Sequence, residues 1–177
     1  RTVLFANSVL LECARQLLHD PSEFQCTMLV AVVGLERLFW LQVGDGTIIV
    51  RRRDGFFPID CTPISAVGNV VSAVGDAAIS RRFLCGLQSS NYVTGVVACS
   101  DGASERLISR DHKQVAGRLE SLLDQLSRGR LKTVALQQFL SDPIVWTGTT
   151  GDDKSIAMLS LASAALTPPL QTTAQET

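Results

Sequence analysis

The sequence has no apolar run near the roughly 18 to 20 residues that a membrane-spanning helix requires, and residues 1–19 lack the pattern of a secretory signal. It also has no excess of either charge, because 16 basic residues nearly balance 17 acidic ones and leave a net charge of -1. Such a chain has no overall field to attract nucleic acid or an anionic membrane surface. We therefore predict a cytoplasmic protein with neither partner.

Cysteine and histidine are too few and too poorly spaced for several familiar sites. The five cysteines are an odd number, with no C-x-x-C pair, no zinc spacing to a histidine and no convincing Ser/His/Asp or Cys/His set. We predict reduced, mostly buried thiols, and Cys99 packs as a small apolar residue unless it is a catalytic thiol. His19 and His112 are predicted to be surface or capping residues.

The sequence does contain enough apolar surface for one core. Hydrophobic residues make up 46% of the 177 positions and charged residues 19%, which is typical of a globular chain of one domain. From residue 167 onwards the chain is rich in Pro, Thr and Gln and shows no periodicity. We therefore predict a folded domain over residues 1–161 and a mobile C-terminal tail over 162–177.

Hydrophobic periodicity predicts the order of helices and strands. Apolar residues at helical spacing predict a helix over residues 2–19 that Asp20-Pro21 ends. Further helices are predicted soon after residue 102, over 115–126 and over 131–140. Runs of branched and aromatic residues separated by glycine-bearing turns predict antiparallel strands at 27–33, 38–43, 47–50, 56–59, 70–74, 83–87, 95–99 and 155–161. This order predicts an α+β fold in which helices cover the sheets.

Three consecutive arginines, Arg51 to Arg53, stand beside the predicted hairpin turn at residues 54–55. We interpret them as the solvated end of a strand. A contact to a phosphopeptide is the alternative interpretation.

Aspartates occur at three points where an apolar run meets a glycine-bearing turn. Asp45 and Asp101 each follow such a run, and Asp152 precedes the last one. If the strands ending at Asp101 and beginning after Asp152 pair in antiparallel fashion, both carboxylates lie at one edge of a sheet. Carboxylate oxygens suit Mg²⁺ or Mn²⁺, which can make a bound water nucleophilic at neutral pH. A lone Asp-Gly is usually only a turn, so the ordered set carries the hypothesis.

Three motifs in this order resemble those of the metal-dependent serine/threonine protein phosphatases of the 2C type. They are Gly44-Asp45-Gly46 between two strands, Ala-Cys-Ser-Asp-Gly-Ala-Ser-Glu at 98–105, and Gly-Asp-Asp-Lys-Ser-Ile at 151–156. The resemblance runs from about residue 2 to residue 161. It is greatest to the bacterial branch, in which the final motif reads Asp-Asp-Lys followed by Thr or Ser.

The resemblance implies a β-sandwich flanked by helices in αββα layers, with two metal ions in a cleft at one end. A hydroxide that bridges the metals, and no side chain, is then the nucleophile that hydrolyses phosphoserine or phosphothreonine. Such chemistry depends mostly on positioning and charge neutralisation. The implied partners are a phosphorylated protein substrate and a cognate protein kinase.

Carried over by position, the resemblance assigns roles to acidic residues of this chain. Asp101 and Asp152 are implied as ligands of the Mn or Mg pair, and Asp153 stands where many members have asparagine. Asp45 and Glu105 match positions that in some members help Asp101 to hold a loosely bound third ion. The glycines that shape the turns are Gly44, Gly46 and Gly102.

The sequence departs from the family ahead of the first helix. Members carry there an early acidic residue and an Asp-Gly turn that supplies the bridging metal ligand, and neither occurs here. With Asp101 and Asp152 alone to hold two dications, we expect weak or no activity. Since the chain begins with Arg1 and the first strands are missing, a missing upstream segment is the favoured explanation. The alternatives are an inactive module with a binding or regulatory role, or an unrelated α+β binding domain if the acidic turns lay far apart.

Overall fold

The computed structural model describes residues 1–59, 73–75, 83–109 and 114–161. The helices in these ranges are α1 (Thr2–Leu17), α2 (Asp101–Leu107), α3 (Gly117–Ser127) and α4 (Thr133–Ser141), with a 3-10 turn at Pro21–Phe24. The strands are β1 (Met28–Val33), β2 (Arg37–Val43), β3 (Thr47–Arg52), β4 (Gly55–Pro58), β5 (Leu84–Ser89), β6 (Val93–Cys99) and β7 (Ile156–Ser160). Their bounds agree closely with the predicted elements. The predicted tail, residues 70–72 of one predicted strand, Cys61 and His112 lie outside the described residues.

The strands form two antiparallel sheets. The first has the order β1-β2-β5 and the second has the order β4-β3-β6-β7. In the second sheet Thr47 is opposite Cys99, and Cys99 is opposite Ile156. The beginning of β3, the end of β6 and the beginning of β7 therefore meet at one edge.

Strand β3 shows why the two sheets stack. Its side chains alternate between two faces, as in any strand. Ile48 and Val50 pack between the sheets with Leu38 and Val96, whereas Ile49 faces the helices on the other side. Because both faces of β3 are buried, the apolar residues 48–50 follow one another without a break.

Helices cover the outer face of each sheet. Val3 of α1 packs with Leu41 and Val43 of β2 on the first sheet. Leu119 and Leu123 of α3 lie in the core over the second sheet, with the helices α2 and α4 beside them. These cores confirm the predicted α+β fold with αββα layers. None of the helices in the described ranges is long and apolar enough to cross a bilayer.

The first helix ends before the predicted stop signal. It ends at Leu17, and Leu18 adopts a left-handed conformation with φ of 57°. The amide groups of Leu18 and His19 bond to carbonyl oxygens of the last turn, which satisfies the helix end without proline. Asp20 instead caps the following 3-10 turn by accepting from the amide of Ser22.

Two predictions were wrong in part: that the cysteines are mostly buried, and that Arg51 to Arg53 are the solvated end of a strand. Among the described cysteines, which are free thiols, only Cys99 is buried, and Cys26 and Cys85 are exposed. Cys26 stands at a bridge outside the main sheets, and Cys85 lies on the edge strand β5. Burial is incomplete at both positions. Arg51 is also more than the solvated end of a strand, because its guanidinium pairs with Asp124 of α3 at 2.7 Å.

Candidate metal centre at one edge of the second sheet

Asp101 stands at the junction of β6 and α2. Ser100, in extended conformation, precedes the helix, and its carbonyl accepts from the amide of Ser104. Asp101 is therefore the first helical residue, where a carboxylate interacts favourably with the helix dipole. The side chain is half-buried, whereas Asp45, Asp152 and Asp153 are exposed.

The turn before β7 is hydrogen-bonded to Ser100. The Ser100 amide donates to the Ser155 carbonyl at 3.1 Å, and the Ser155 amide donates to the Ser100 hydroxyl at 3.0 Å. The same hydroxyl donates to the carbonyl of Asp153 at 3.1 Å. These bonds extend the β6–β7 pairing by one residue and bring residues 152 and 153 beside the start of α2.

Gly102 allows this close approach. A Cβ atom at Gly102 would lie 2.6 Å from the carbonyl oxygen of Asp153 and 3.0 Å from that of Asp152. Real side chains do not tolerate such distances to backbone atoms, so glycine is required. The structure therefore places Asp101 and Asp152 side by side.

Asp45 reaches the same edge from the turn between β2 and β3. Gly44 has φ of 96°, and a Cβ at Gly46 would lie 2.7 Å from the carbonyl oxygen of Cys99. The buried side chain of Gln42 donates from Nε2 to the carbonyl oxygens of Gly44 and Gly46, at 2.9 and 2.7 Å. The turn is thus fixed from strand β2. We name Asp45, Asp101 and Asp152 the acidic edge.

The charges of the acidic edge act on one another. The pKa of Asp101 is raised, first by partial burial and then by the nearby negative charges of Asp45 and Asp152. Asp152 lies close enough to accept a hydrogen bond from the protonated Asp101 carboxyl. The amide of Gly102 opposes this shift by donating to the Asp101 carboxylate. A cation at this edge would relieve the repulsion between the carboxylates.

Glu105 is bound to Thr150, in the turn that leads to Asp152. Its carboxylate accepts from the amide of Thr150 at 2.9 Å and from the hydroxyl of the same residue. These two bonds are the main reason that the pKa of Glu105 is lowered. The nearby charge of Lys154 adds to the effect, whereas the negative charge of Asp152 opposes it. Glu105 therefore lies near Asp152, and its role in holding a third ion with Asp101 stays a prediction. Thr150 was missed by sequence reasoning, since a lone threonine in a loop has no distinguishing pattern.

Asp153 takes part mainly through its backbone. Its carbonyl accepts from Ser100, and its amide donates to the Oδ1 atom of Asp152 at 2.9 Å. The bond to Oδ1 orients the Asp152 carboxylate. In this structure Asp153 thus supports Asp152.

The donor set fits a hard cation only in part. The acidic edge offers carboxylate oxygens, which suit Mg²⁺ or Mn²⁺. Within the described ranges, however, no three His, Cys, Asp or Glu side chains gather closely enough to hold a metal ion. Carboxylates affect one another's pKa over longer distances than those at which they can share a metal ion. The raised pKa of Asp101 is therefore consistent with the lack of three closely gathered ligands within the described ranges. Asp101 and Asp152 together can provide a partial site for one cation.

Other candidate groups are less suited to chemistry. Cys99 is 1% exposed and its thiol contacts the carbonyl of Thr47. Burial raises the pKa of the Cys99 thiol to about 12, so it is not a nucleophile near neutral pH. The prediction that Cys99 serves packing is confirmed. A groove of about 600 Å³ is lined by Arg51, Arg52 and Arg53, at the opposite end of β3 from the acidic edge.

Comparisons with known proteins agree with this fold. The sequence model of the family described as protein phosphatase 2C matches residues 3–141, a span that includes Asp45 and Asp101 but not Asp152. The crystal structure of a bacterial serine phosphatase superimposes with a TM-score of 0.50 at 12% identity and covers 88% of this chain. Two variants of a bacterial serine phosphatase, each with one arginine substituted, give TM-scores of 0.52 and 0.51 at 11% and 14% identity, again over 88% of this chain. No curated protein matches in sequence.

The solved structures are longer than this chain. It covers 66%, 66% and 62% of their lengths, slightly less than two thirds. At these identities the likeness shows the fold alone. The family match covers most of the sequence and includes two of the three aspartates of the acidic edge. The chain therefore belongs to the protein phosphatase 2C family.

Proposed function

We propose that this chain belongs to an enzyme that hydrolyses phosphoserine and phosphothreonine in proteins with the help of Mn²⁺ or Mg²⁺. The observation that carries the proposal is the position of Asp101 beside Asp152, where β6–β7 pairing and Gly102 bring them together. The proposal includes a cytoplasmic location, a phosphoprotein substrate, a cognate protein kinase as partner, and a domain over 1–161 followed by a tail.

The roles of the side chains follow from their positions. A bound divalent cation supplies charge neutralisation at the phosphoryl oxygens and increases the acidity of water. Asp101 and Asp152 would hold the cation, and Asp45 would add negative charge from the neighbouring turn. Gly102 and Ser100 keep the two aspartate-bearing segments in contact. No side chain of the chain needs to act as a nucleophile.

The test is Mn²⁺-stimulated hydrolysis of a phosphothreonine peptide by the longest natural form of the chain. We expect activity that a chelator abolishes and that Asp101→Asn lowers by about 100-fold or more, since a ligand is lost. Asp54→Asn is the matched control because Asp54, like Asp101, precedes a glycine, but it lies in the hairpin turn at the far end of β3. Equal rates for Asp101→Asn and wild type would refute the site.

An inactive module with a binding or regulatory role is the second candidate. Two observations favour it: the described residues do not gather three metal ligands, and the Glu105 carboxylate is already bound to Thr150. In that case the longest natural form would show no turnover with Mn²⁺, Mg²⁺ or both, and would bind a phosphoprotein or kinase in the presence of a chelator. Turnover that depends on Asp101 would exclude this alternative.

A further inference from the structure

The turn that carries Asp152 is held by a side chain that the proposed chemistry does not use. Lys154 donates from Nζ to the carbonyl oxygen of Asp152 at 2.8 Å. The same ammonium group lies 5.3 Å from the centroid of the Trp146 ring. An ammonium over an aromatic face is attracted by the negative charge of the π system. Lys154 therefore connects the Asp152 peptide to Trp146.

Trp146 is a fixed partner for this ammonium. The residue is 7% exposed, and its indole Nε1 donates to the carbonyl oxygen of Phe139 at 2.8 Å. Its ring also packs against the Phe139 ring, with centroids 5.6 Å apart. Phe139 belongs to α4 and lies in the core over the second sheet. Helix α4 thus fixes the Trp146 ring, and the ring in turn sets the position of the Lys154 ammonium group.

The Asp152 peptide is confined from two directions. Gly102 lies against its carbonyl group, with only 3.0 Å between the oxygen and the position of a Cβ. Lys154 binds the same oxygen by the hydrogen bond described above. The carboxylate of Asp152 is oriented in turn by the amide of Asp153. Removing Lys154 would take away the hydrogen bond to this carbonyl oxygen and leave its close approach to Gly102.

We propose that Lys154 is a positioning residue for the metal site, and that its ammonium on the Trp146 ring keeps Asp152 beside Asp101. The inference depends on the proposed function only for the identity of the cation. Loss of a group that orients a metal ligand typically lowers metal affinity or activity by about 10- to 100-fold. The opposite role, a built-in cation that competes with the metal, is disfavoured because Nζ bonds to a carbonyl oxygen and not to a carboxylate.

The test compares four variants with the wild type, all in the longest natural form of the chain. Lys154→Met removes the charge and the donor at nearly constant length, and Lys154→Arg keeps both and can stack on the ring. Trp146→Phe removes the indole N–H that anchors the ring. Lys132→Met is the matched control, because exposed Lys132 precedes α4 and loses the same charge there.

Two measurements are made on each variant. Amide hydrogen exchange at residues 153 and 155, without metal, reports the order of the turn. Electron paramagnetic resonance of free Mn²⁺ reports the affinity of the site. We expect Lys154→Met to speed exchange several-fold and to weaken Mn²⁺ binding about tenfold or more. Trp146→Phe should have a smaller effect in the same direction, whereas Lys154→Arg and Lys132→Met should stay near wild type.

Each outcome decides one of the two proposals. If Lys154→Met behaves like Lys132→Met in exchange, the positioning role is wrong. Tighter Mn²⁺ binding by Lys154→Met would also overturn it and would make Lys154 a competing cation. If the wild type binds no Mn²⁺, the proposed function fails, and the exchange rates still decide whether Lys154 orders the turn.

Discussion

At the scale of single residues, the position of Asp101 lowers the folding stability of the metal-free protein when its carboxyl group is ionised. Burial and the charges of Asp45 and Asp152 raise its pKa, so its ionised form is disfavoured in the folded state. A carboxyl group whose pKa is raised on folding contributes stability below its ordinary pKa of about 3.9. That contribution is lost as the pH rises through the raised pKa of the folded state.

Asp101→Asn should therefore make the metal-free protein more stable at pH 7, although it removes a metal ligand. The gain should vanish below about pH 3.5, where the wild-type carboxyl group is also neutral. Thermal unfolding of the two proteins at both pH values, in the presence of a chelator, measures this. Asp54→Asn is again the control, and an equal difference in Tm at both pH values would contradict the prediction.

The bond between Thr150 and Glu105 predicts a second pH effect. A lowered carboxyl pKa stabilises the fold above the ordinary pKa of about 4.3, and this contribution is lost as the pH falls through the lowered value. Thr150→Val removes the hydroxyl donor, so the pKa of Glu105 should rise toward its ordinary value. An NMR titration of the Glu105 carboxyl carbon measures the change.

Thr147→Val is the control for this substitution, because the Thr147 hydroxyl donates to the carbonyl of Pro143 and not to a carboxylate. An unchanged pKa in Thr150→Val would show that the hydroxyl does not hold Glu105. A risen pKa would show that the Thr150 hydroxyl stabilises the ionised form of Glu105.

At the scale of elements, most of the described helices and strands could be predicted from residue pattern. Alternation and buried runs define β3 and β6, and helical spacing defines α1 and α3, because one face of each must be buried. Antiparallel order then predicts that the end of β6 meets the beginning of β7. The end of α1 could not be predicted, since Leu18 adopts a left-handed conformation that its side chain does not favour. Contacts between distant residues, such as Lys154 on Trp146, also leave no local pattern.

The junction of β6, α2 and the turn before β7 depends on Gly102. Gly102→Ala should destabilise the fold by about 1 to 3 kcal/mol, because the new Cβ would press on two carbonyl oxygens. It should also separate Asp152 from Asp101 and weaken Mn²⁺ binding. Gly117→Ala is the control: no atom lies within 4 Å of its Cβ position, and in helix α3 alanine should be neutral or stabilising by up to about 1 kcal/mol. Urea unfolding distinguishes them, and equal stabilities would contradict the close approach.

At the scale of the whole molecule, the layers are unequally covered. The second sheet has three helices in its core cluster, whereas the described cover of the first sheet is mainly α1. Large apolar side chains remain exposed on that side, among them Phe5 at 73% and Leu87 at 68%. Strand β1 is an edge of the first sheet, and open edges favour self-association.

Phe5→Glu should therefore reduce self-association of the chain without large loss of stability. The expected change in unfolding free energy is within about 0.5 kcal/mol, as for other surface substitutions. Light scattering after size exclusion, at several protein concentrations, measures the first effect. Leu38→Ala is the contrasting variant, because Leu38 is fully buried and its truncation should cost about 2 to 5 kcal/mol. A comparable loss in Phe5→Glu would mean that Phe5 is packed in solution.

Strand β3 sets the distance between the acidic edge and the three arginines. The acidic edge lies before its first residue, Thr47, and the arginines begin at its fifth, Arg51. An extended strand rises about 3.3 Å per residue, so the ends of a six-residue strand are up to ~20 Å apart. One phosphate group is far too small to touch both ends. A peptide that engaged the arginines as well as the acidic edge would need a second anionic group about six residues from its phosphoserine or phosphothreonine.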